Sequence, residues 1–202
     1  MSCDTAVNEK PITVMLCGVG GQGTITAADL LARAAMNDGY DVKVSEIHGM
    51  AQRGGAVSTT VRFGKNVSSM VCDPAQADII ISFELLEAVR NAHYLKNDGH
   101  IIVNDIQIKP MSVLTGQAKM PQGIHEALKQ LGEHSVDIFD AEAVARDAGN
   151  PKIANVALLG AAAKFLPLSE KAWEKSIESR IPPKTLEANL AAFRAMYNKL
   201  NA

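Results

Sequence analysis

The stretch Cys17-Gly18-Val19-Gly20-Gly21-Gln22-Gly23 follows an apolar run, Ile12 to Leu16, and precedes a helical pattern, Thr24 to Met36. This order predicts a strand, a glycine-rich turn and a helix. Because glycines place no β-carbon between the backbone and a ligand, such a turn lets an anion approach closely, at the positive end of the helix dipole. We therefore predict an anion-binding turn. The plain alternative is that these glycines serve only the tight turn and the packing of helix against strand.

Composition excludes several classes of function. The chain has 202 residues, 47% of them hydrophobic, and a net charge of −2. This balance argues against binding nucleic acid or a membrane through bulk charge. The apolar runs are too short to span a bilayer, and Met1 to Lys10 lacks the pattern of a secretory signal, so we expect a cytoplasmic protein.

The cysteines exclude a metal centre of the usual kind. The chain has three, Cys3, Cys17 and Cys72, far apart in sequence and without a CxxC pair. Iron–sulfur clusters and structural zinc sites need closely spaced thiolates. We therefore expect no metal ligands in this chain, so that any redox centre lies elsewhere.

The order of segments predicts an α/β fold. Strand-like and helix-like segments alternate, as in a Rossmann-like, mostly parallel sheet with helices on both faces. A helix is predicted over Glu84 to Leu95. Val57 to Phe63 alternates with period two, which predicts a half-buried strand running antiparallel at an edge. The other predicted strands are Ile12–Cys17, Val42–Glu46, Asp78–Phe83, His100–Asn104 and Ser135–Phe139.

Beyond Phe139 the pattern becomes helical. Asn150-Pro151 can start a helix over Lys152 to Phe165, and Ser169 can cap the next one. Pro182-Pro183 precedes a final helix. No linker divides the chain, so we expect one domain over residues 1–202, with a flexible N-terminus over 1–10 and the helical end, 150–202, packed on the sheet.

A second loop, Glu46-Ile47-His48-Gly49-Met50-Ala51-Gln52-Arg53-Gly54-Gly55, follows the second predicted strand. Ligand crevices form at the carboxyl edge of parallel strands, so both loops are predicted to face one crevice. The guanidinium group of Arg53 is predicted to bind an anion or to form an ion pair with a partner subunit. His48 is a proton donor, an interface anchor or an ordinary loop histidine. The predicted ligand-binding residues are Gly18, Gly20, Gly21, Gln22, Gly23, His48, Gln52, Arg53, Gly54 and Gly55.

These two loops resemble those of the γ-type domain family of 2-oxoacid:ferredoxin oxidoreductases. Further matching stretches are Gly149-Asn150-Pro151-Lys152 with Asn155, Leu158-Leu159-Gly160-Ala161, and Pro182-Pro183-Lys184. The resemblance runs from Ile12 to Phe193. His-Gly-Met-Ala-Gln-Arg is more similar to the indolepyruvate type than to the pyruvate or 2-oxoglutarate types.

The resemblance implies a small subunit, inactive alone and without catalytic residues, of a complex that oxidatively decarboxylates an aryl-2-oxoacid to the aryl-acyl-coenzyme A and reduces ferredoxin. It implies that thiamine diphosphate, Mg²⁺ and [4Fe-4S] clusters lie on the large α subunit. It also implies that this chain binds no cofactor firmly and that any cofactor contact it makes is to coenzyme A. Two other classes stay open at this point. One is an NAD(P)-dependent dehydrogenase, in which Glu46 would bind the ribose. The other is a nucleotide-binding scaffold without a part in catalysis.

Overall fold

The computed structural model describes residues 10–49, 54–131 and 136–199. One six-stranded sheet has the order β2-β3-β1-β4-β5-β6. Its strands are β1 (Ile12–Val19), β2 (Asp41–His48), β3 (Ala56–Gly64), β4 (Ala77–Ser82), β5 (Leu95–Asn104) and β6 (Val136–Phe139). The central strand β1 pairs parallel to β4, and β5 continues the parallel run to β6. Since β3 is antiparallel to both β1 and β2, β2 points the same way as β1.

Helices cover both faces of the sheet. They are α1 (Thr24–Asn37), α2 (Leu85–Asn91), α3 (Met111–Leu114), α4 (Ile124–Lys129), α5 (Ala141–Asp147), α6 (Ala154–Ala163), α7 (Glu170–Arg180) and α8 (Pro183–Lys199). Short 3₁₀ turns over Ala92–Tyr94 and Pro151–Ile153 precede β5 and α6. Ser169 caps α7 by accepting a hydrogen bond from the N–H of Ala172, as its position predicts.

The core has two layers because side chains on β1 alternate between the faces of the sheet. Val14 and Leu16 pack with α1, α6, α7 and α8 on one face. Met15 and Cys17 pack with α2 and α4 on the other. The predicted Rossmann-like α/β fold, with its helical C-terminal part packed on the sheet, is therefore confirmed.

One strand position was wrongly predicted. β3 is antiparallel, as expected, but it lies between β2 and β1, so β2 is the edge strand instead. A second difference concerns the segment before β5. The helix predicted to reach Leu95 ends at Asn91, and β5 begins at Leu95 instead of His100.

Two helices of the C-terminal part, α6 and α8, approach each other closely at Gly160 of α6. A β-carbon there would lie 2.2 Å from the carbonyl oxygen of Phe193 in α8. Only glycine lets the two helix backbones come this near. This contact locks α6 and α8 together over the same face as α1, and α6 begins beside the glycine-rich turn.

Candidate functional site

The two glycine-rich loops meet at the carboxyl edge of the sheet. The N–H of Gly20 donates to the carbonyl of Gly55 over 2.8 Å, and the N–H of Gly54 donates to the carbonyl of Gly20 over 3.2 Å. The prediction that the loops share one edge is thus confirmed for the described part of the second loop. Residues 50–53 lie outside the described residues, so the roles predicted for Gln52 and Arg53 stay predictions.

Gln22 fixes the shape of the turn. Its Oε1 accepts from the N–H of Val19 over 2.7 Å, and its Nε2 donates to the carbonyl of Phe83 over 2.7 Å. The side chain therefore ties the turn to the end of β4. Gly18 lies in β1 and not in the turn, and a β-carbon there would stand 2.8 Å from Gln22 Oε1. Both residues shape the turn by packing and hydrogen bonding within the chain.

Gly23 connects the turn to the helical end of the chain. It is the residue before α1 and has φ +83°, in the left-handed region. Its carbonyl accepts a hydrogen bond from Asn155 Nδ2 over 3.2 Å. A β-carbon on Gly23 would lie 2.6 Å from the same nitrogen, so close contact and conformation both require glycine.

The start of α1 has no side-chain cap in the described part of the chain. Its first turn carries no acidic residue either. Thr24 is 3% exposed, and its Oγ1 has no hydrogen-bond partner among the described residues. A buried hydroxyl without a partner costs free energy, and a bound ligand would recover it. The backbone N–H groups of the first turn, which have no partners within the helix, attract anions as well.

A cavity of about 430 Å³ lies at this helix start. We call it the glycine-turn cavity; among its lining residues are Gly20, Gly21, Gly23, Thr24, Glu46 and His48. The structure thus brings His48 of the second loop to the predicted turn. Glu46 is an acid here, and no lysine or arginine among the described residues lines this cavity.

A second cavity of about 250 Å³ lies on the other side of the first turn of α1. We call it the Lys152 groove; among its lining residues are Gly21, Gly23, Thr26, Lys152, Asn155 and Asn189. Sequence reasoning identified Lys152 and Asn155 as part of a matching motif but did not place them in the site. The sequence did contain a local signal, since Asn150-Pro151 marks the start of a helical segment. That signal does not indicate which other element the first turn of the segment lies near.

Below the turn lies a buried acidic pair that serves the fold. The carboxylate of Glu84 accepts from the N–H of Glu87 over 2.8 Å and from the N–H of Ile108 over 3.0 Å, which caps α2. Burial raises the pKa of the Glu87 carboxyl, against the opposing effect of Arg90. Burial also raises the pKa of the Cys17 thiol to about 12, and the nearby Glu87 and Glu84 add to this. Cys17 is therefore a protonated core residue, not a nucleophile.

The described part of the chain offers neither a metal centre nor a membrane span. No group of three or more His, Cys, Asp or Glu side chains there is placed to hold a metal ion. No helix among the same residues has the length and apolar character needed to cross a membrane.

The fold and the site together define a class: an α/β protein with a cavity at the first strand–helix turn of a Rossmann-like sheet. Residues 13–199 match the family model described as pyruvate ferredoxin/flavodoxin oxidoreductase, and the chain belongs to this family.

Relatives of known function span nearly the whole chain. The "Indolepyruvate oxidoreductase subunit IorB" of Thermococcus kodakarensis is 41% identical over 91% of this chain and 93% of its own length. The "Pyruvate/ketoisovalerate oxidoreductases common subunit gamma" of Pyrococcus furiosus is 30% identical over 93% of this chain and 96% of its own length. The relatives are thus subunits of oxidoreductase complexes.

Solved structures have the same fold. A keto/oxoacid ferredoxin oxidoreductase gamma subunit from Geobacter sulfurreducens superposes with a TM-score of 0.70, at 27% identity, over 95% of this chain and 99% of that chain. A 2-oxoglutarate:ferredoxin oxidoreductase from Magnetococcus marinus, solved with 2-oxoglutarate, coenzyme A and succinyl-CoA bound, gives 0.69 at 17% identity. The match covers 95% of this chain and 31% of that longer one, and it reflects the fold alone.

Proposed function

We propose that this chain is the small subunit of an indolepyruvate-type oxidoreductase in the cytoplasm. The complex would oxidatively decarboxylate aryl-2-oxoacids to aryl-acyl-coenzyme A and pass the electrons to ferredoxin. Support for the indolepyruvate type comes from the 41% identity to an indolepyruvate oxidoreductase subunit, against 30% to a pyruvate/ketoisovalerate subunit. The same type is favoured by the residues His48 to Arg53 in the second loop.

The electron-transfer and decarboxylation chemistry is assigned to the large α subunit. It would hold the thiamine diphosphate with its Mg²⁺ and the [4Fe-4S] clusters, because the cysteines of this chain lack the spacing that a cluster needs. The part of this subunit would be to complete the cleft and to contact coenzyme A. We propose that the one domain responsible comprises residues 1–202.

The observation that carries the coenzyme A contact is the open start of α1. Within the described residues, a helix start without a side-chain cap meets a buried hydroxyl without a partner, Thr24 Oγ1, at a cavity lined by both loops. Phosphate groups suit such a helix start. The cavity size, about 430 Å³, is within the range of small-molecule sites. Coenzyme A is also bound in the Magnetococcus marinus structure.

A reconstitution experiment tests this function. The chain and the large subunit are produced together without oxygen, and coenzyme A-dependent reduction of a dye is measured with indolepyruvate and with pyruvate. We expect the complex to be active with a higher kcat/KM for indolepyruvate and the isolated chain to be inactive. Turnover by the purified small subunit alone would contradict the assignment.

Thr24→Val tests the coenzyme A contact within the same complex. Losing one hydrogen bond of about 1 kcal/mol should raise the KM for coenzyme A about fivefold. Thr59→Val is the matched control, because the Thr59 hydroxyl is also buried without a partner in the described chain but does not line the glycine-turn cavity. If both variants have the KM for coenzyme A of the wild-type complex, coenzyme A binds elsewhere in the complex.

One observation favours a second candidate, a nicotinamide dinucleotide. Glu46 lines the glycine-turn cavity, where a carboxylate would bind the hydroxyls of a ribose. Thermal-shift titration of the chain with NADH separates the two candidates. A saturable rise in Tm with NADH and none with coenzyme A would favour the dehydrogenase.

A further inference from the structure

The outer edge of the sheet at β2 is unpaired within the described chain. β2 is the terminal strand, and its pairing partner is β3. None of the described loops forms a backbone hydrogen bond with β2 on its other side. Because an antiparallel neighbour satisfies only alternate residues of a strand, the remaining N–H and C=O groups of β2 point outwards. An edge of eight residues is a template for a further strand.

Three exposed apolar side chains accompany this edge on the face of the sheet that carries α1. Val44 of β2 is 43% exposed, and Ile25 and Met36 of α1 are 58% and 63% exposed. Val44 lies on the α1 face because it stands opposite Val61 of β3, which is buried in the core layer that contains α1. The strand edge and the helix beside it therefore form one surface.

The three side chains are arranged symmetrically about Val44. Ile25 and Met36 are eleven residues apart, about three turns, so they lie on one side of α1. Ile25 lines a cavity together with Glu46 and His48, so this side of α1 faces β2, and Ile25 is near the end of the strand. Because α1 connects two strands that point the same way, it runs opposite to β2, and Met36 is near the start of the strand. Val44 lies between them.

We propose that a second copy of this chain pairs with β2 about a two-fold axis at Val44. The β2 strands of the two copies lie antiparallel, with Val44 opposite Val44, and the two six-stranded sheets become continuous. An axis perpendicular to the sheet keeps both α1 helices on one face, and it places Met36 of each copy beside Ile25 of the other. The contact is isologous, because one surface is complementary to itself.

The charged residues of β2 agree with this register. Lys43 stands opposite Ser45 of the other copy. Glu46 stands opposite Val42 of the other copy, so like charges do not meet along the two strands. An axis at Lys43 or at Glu46 would place two like charges opposite each other, which is unfavourable. Lys43 is also paired with Asp41 of its own strand, since Nζ lies 3.6 Å from Oδ1.

The surface is large enough for a dimer that forms reversibly. Eight residues of strand span about 27 Å, and the strand and helix layers together are about 20 Å deep. Such a face covers about 540 Å² per copy, so about 1,100 Å² is buried in total, near the lower limit for specific interfaces. We therefore expect a dissociation constant on the order of 10 µM.

Sedimentation equilibrium of the full chain tests this contact. At a concentration about tenfold above the expected dissociation constant, the wild type should have twice the mass of one chain, which is 21.5 kDa. Val44→Glu should weaken the dimer about a hundredfold, because two carboxylates then meet at the axis. Met36→Glu should weaken it about tenfold, through the loss of an apolar contact with each Ile25.

Met111→Glu is the matched control for these variants. Met111 is 67% exposed, and it lies in α3 after β5, on the other side of β1 from β2. The substitution has the same chemistry at a distant position. It should leave the dissociation constant unchanged.

A mixture of two variants tests the axis itself. Val44→Glu and Val44→Lys should each be monomeric alone, because like charges meet at the axis in both. Mixed in equal amounts, they should form a dimer with one copy of each, because the opposed charges then attract. This rescue requires position 44 of one copy to meet position 44 of the other.

Four results would overturn the proposal. They are a wild type that is monomeric at the stated concentration, a Val44→Glu variant as dimeric as the wild type, a Met111→Glu variant as weakened as Val44→Glu, and a mixture of the two Val44 variants without a mixed dimer. If the wild type is monomeric and Val44→Glu reduces recovery of the large α subunit in the reconstituted complex, the edge binds that subunit and not a second copy.

Discussion

At the scale of single residues, Gly23 of the glycine-rich turn contacts Asn155, a partner that the sequence alone does not reveal. Its left-handed φ was foreseeable from the glycine-rich turn, but the contact with Asn155 joins residues 132 positions apart. The same contact brings Lys152 to the turn. Long-range contacts of this kind depend on how α6 packs against α1, which no local pattern encodes.

Replacing Gly23 with alanine separates conformational strain from close contact. Gly39 has nearly the same φ, +84° against +83°, but a β-carbon on Gly39 would meet nothing within 4 Å, whereas one on Gly23 would meet Asn155. We expect Gly39→Ala to lower the free energy of unfolding by about 1–2 kcal/mol, from the left-handed backbone alone. Gly23→Ala should cost about 1 kcal/mol more, because Asn155 must move and lose its hydrogen bond.

Urea unfolding of both variants measures this difference. The double variant Gly23→Ala with Asn155→Ala should show a coupling, because the clash is absent once Asn155 is truncated. Equal losses for Gly23→Ala and Gly39→Ala would contradict the close contact.

At the scale of elements, the sequence predicted most strands and helices but not every neighbour. Period-two alternation identified β3 as a strand with two different faces, and this is all that alternation reports. Position in the sheet depends on pairing. β3 pairs over nearly its whole length with β2 on one side and with β1 on the other. Val57 lies opposite His48 of β2, and Phe63 lies opposite Ile12 of β1. The crossover helix α1 joins the strands β1 and β2, which point the same way, and the hairpin then places β3 between them.

The contact between α6 and α8 yields a prediction at this scale. Alanine normally stabilises a helix relative to glycine by about 1 kcal/mol. At Gly160 we expect the opposite, a loss of about 3 kcal/mol, because the added methyl would meet the backbone of Phe193, which no rotamer change can move. Denaturant unfolding of Gly160→Ala gives the sign directly, and a stabilised variant would show that the helices can separate at little cost.

At the scale of the whole molecule, alternation of strands and helices predicted the fold class because it follows from how layers bury their apolar faces. The candidate site was predictable only in part. The glycine turn and the His48 loop were identified because glycine and a strand end are local signals. The Lys152 groove, the orphaned Thr24 hydroxyl and the charge contrast between the cavities were not, since each arises where distant segments meet.

Cys17 lets the stability of the whole fold be examined through pH. The thiol is fully buried in the central strand, so it ionises readily only when the sheet opens. The unfolded thiol has a pKa of 9.0 and the folded one about 12, so the folded state retains a proton that the unfolded state releases. The contribution of Cys17 to stability is fully present below pH 9 and falls as pH rises from 9 towards 12.

Unfolding measured across that window tests the effect. The free energy of unfolding of the wild type, relative to Cys17→Ala, should decrease by up to about 1.4 kcal/mol per pH unit above about pH 9. Below about pH 8 the difference should be constant. A difference that stays flat up to about pH 11 would mean that the thiol ionises within the folded protein.

The paired hydrogen bonds between Gly20 and the segment Gly54–Gly55 continue the β1–β3 ladder beyond the strand ends. The turn before α1 and the residues Gly54–Gly55 just before β3 are therefore held together by backbone hydrogen bonds. A ligand or a neighbouring subunit bound at Gly54–Gly55 would also restrict the helix start through these hydrogen bonds. Occupancy at one position is then thermodynamically linked to occupancy at the other, and the linkage is equal in both directions. Under the proposed function, subunit assembly and coenzyme A affinity would therefore be coupled through two backbone hydrogen bonds.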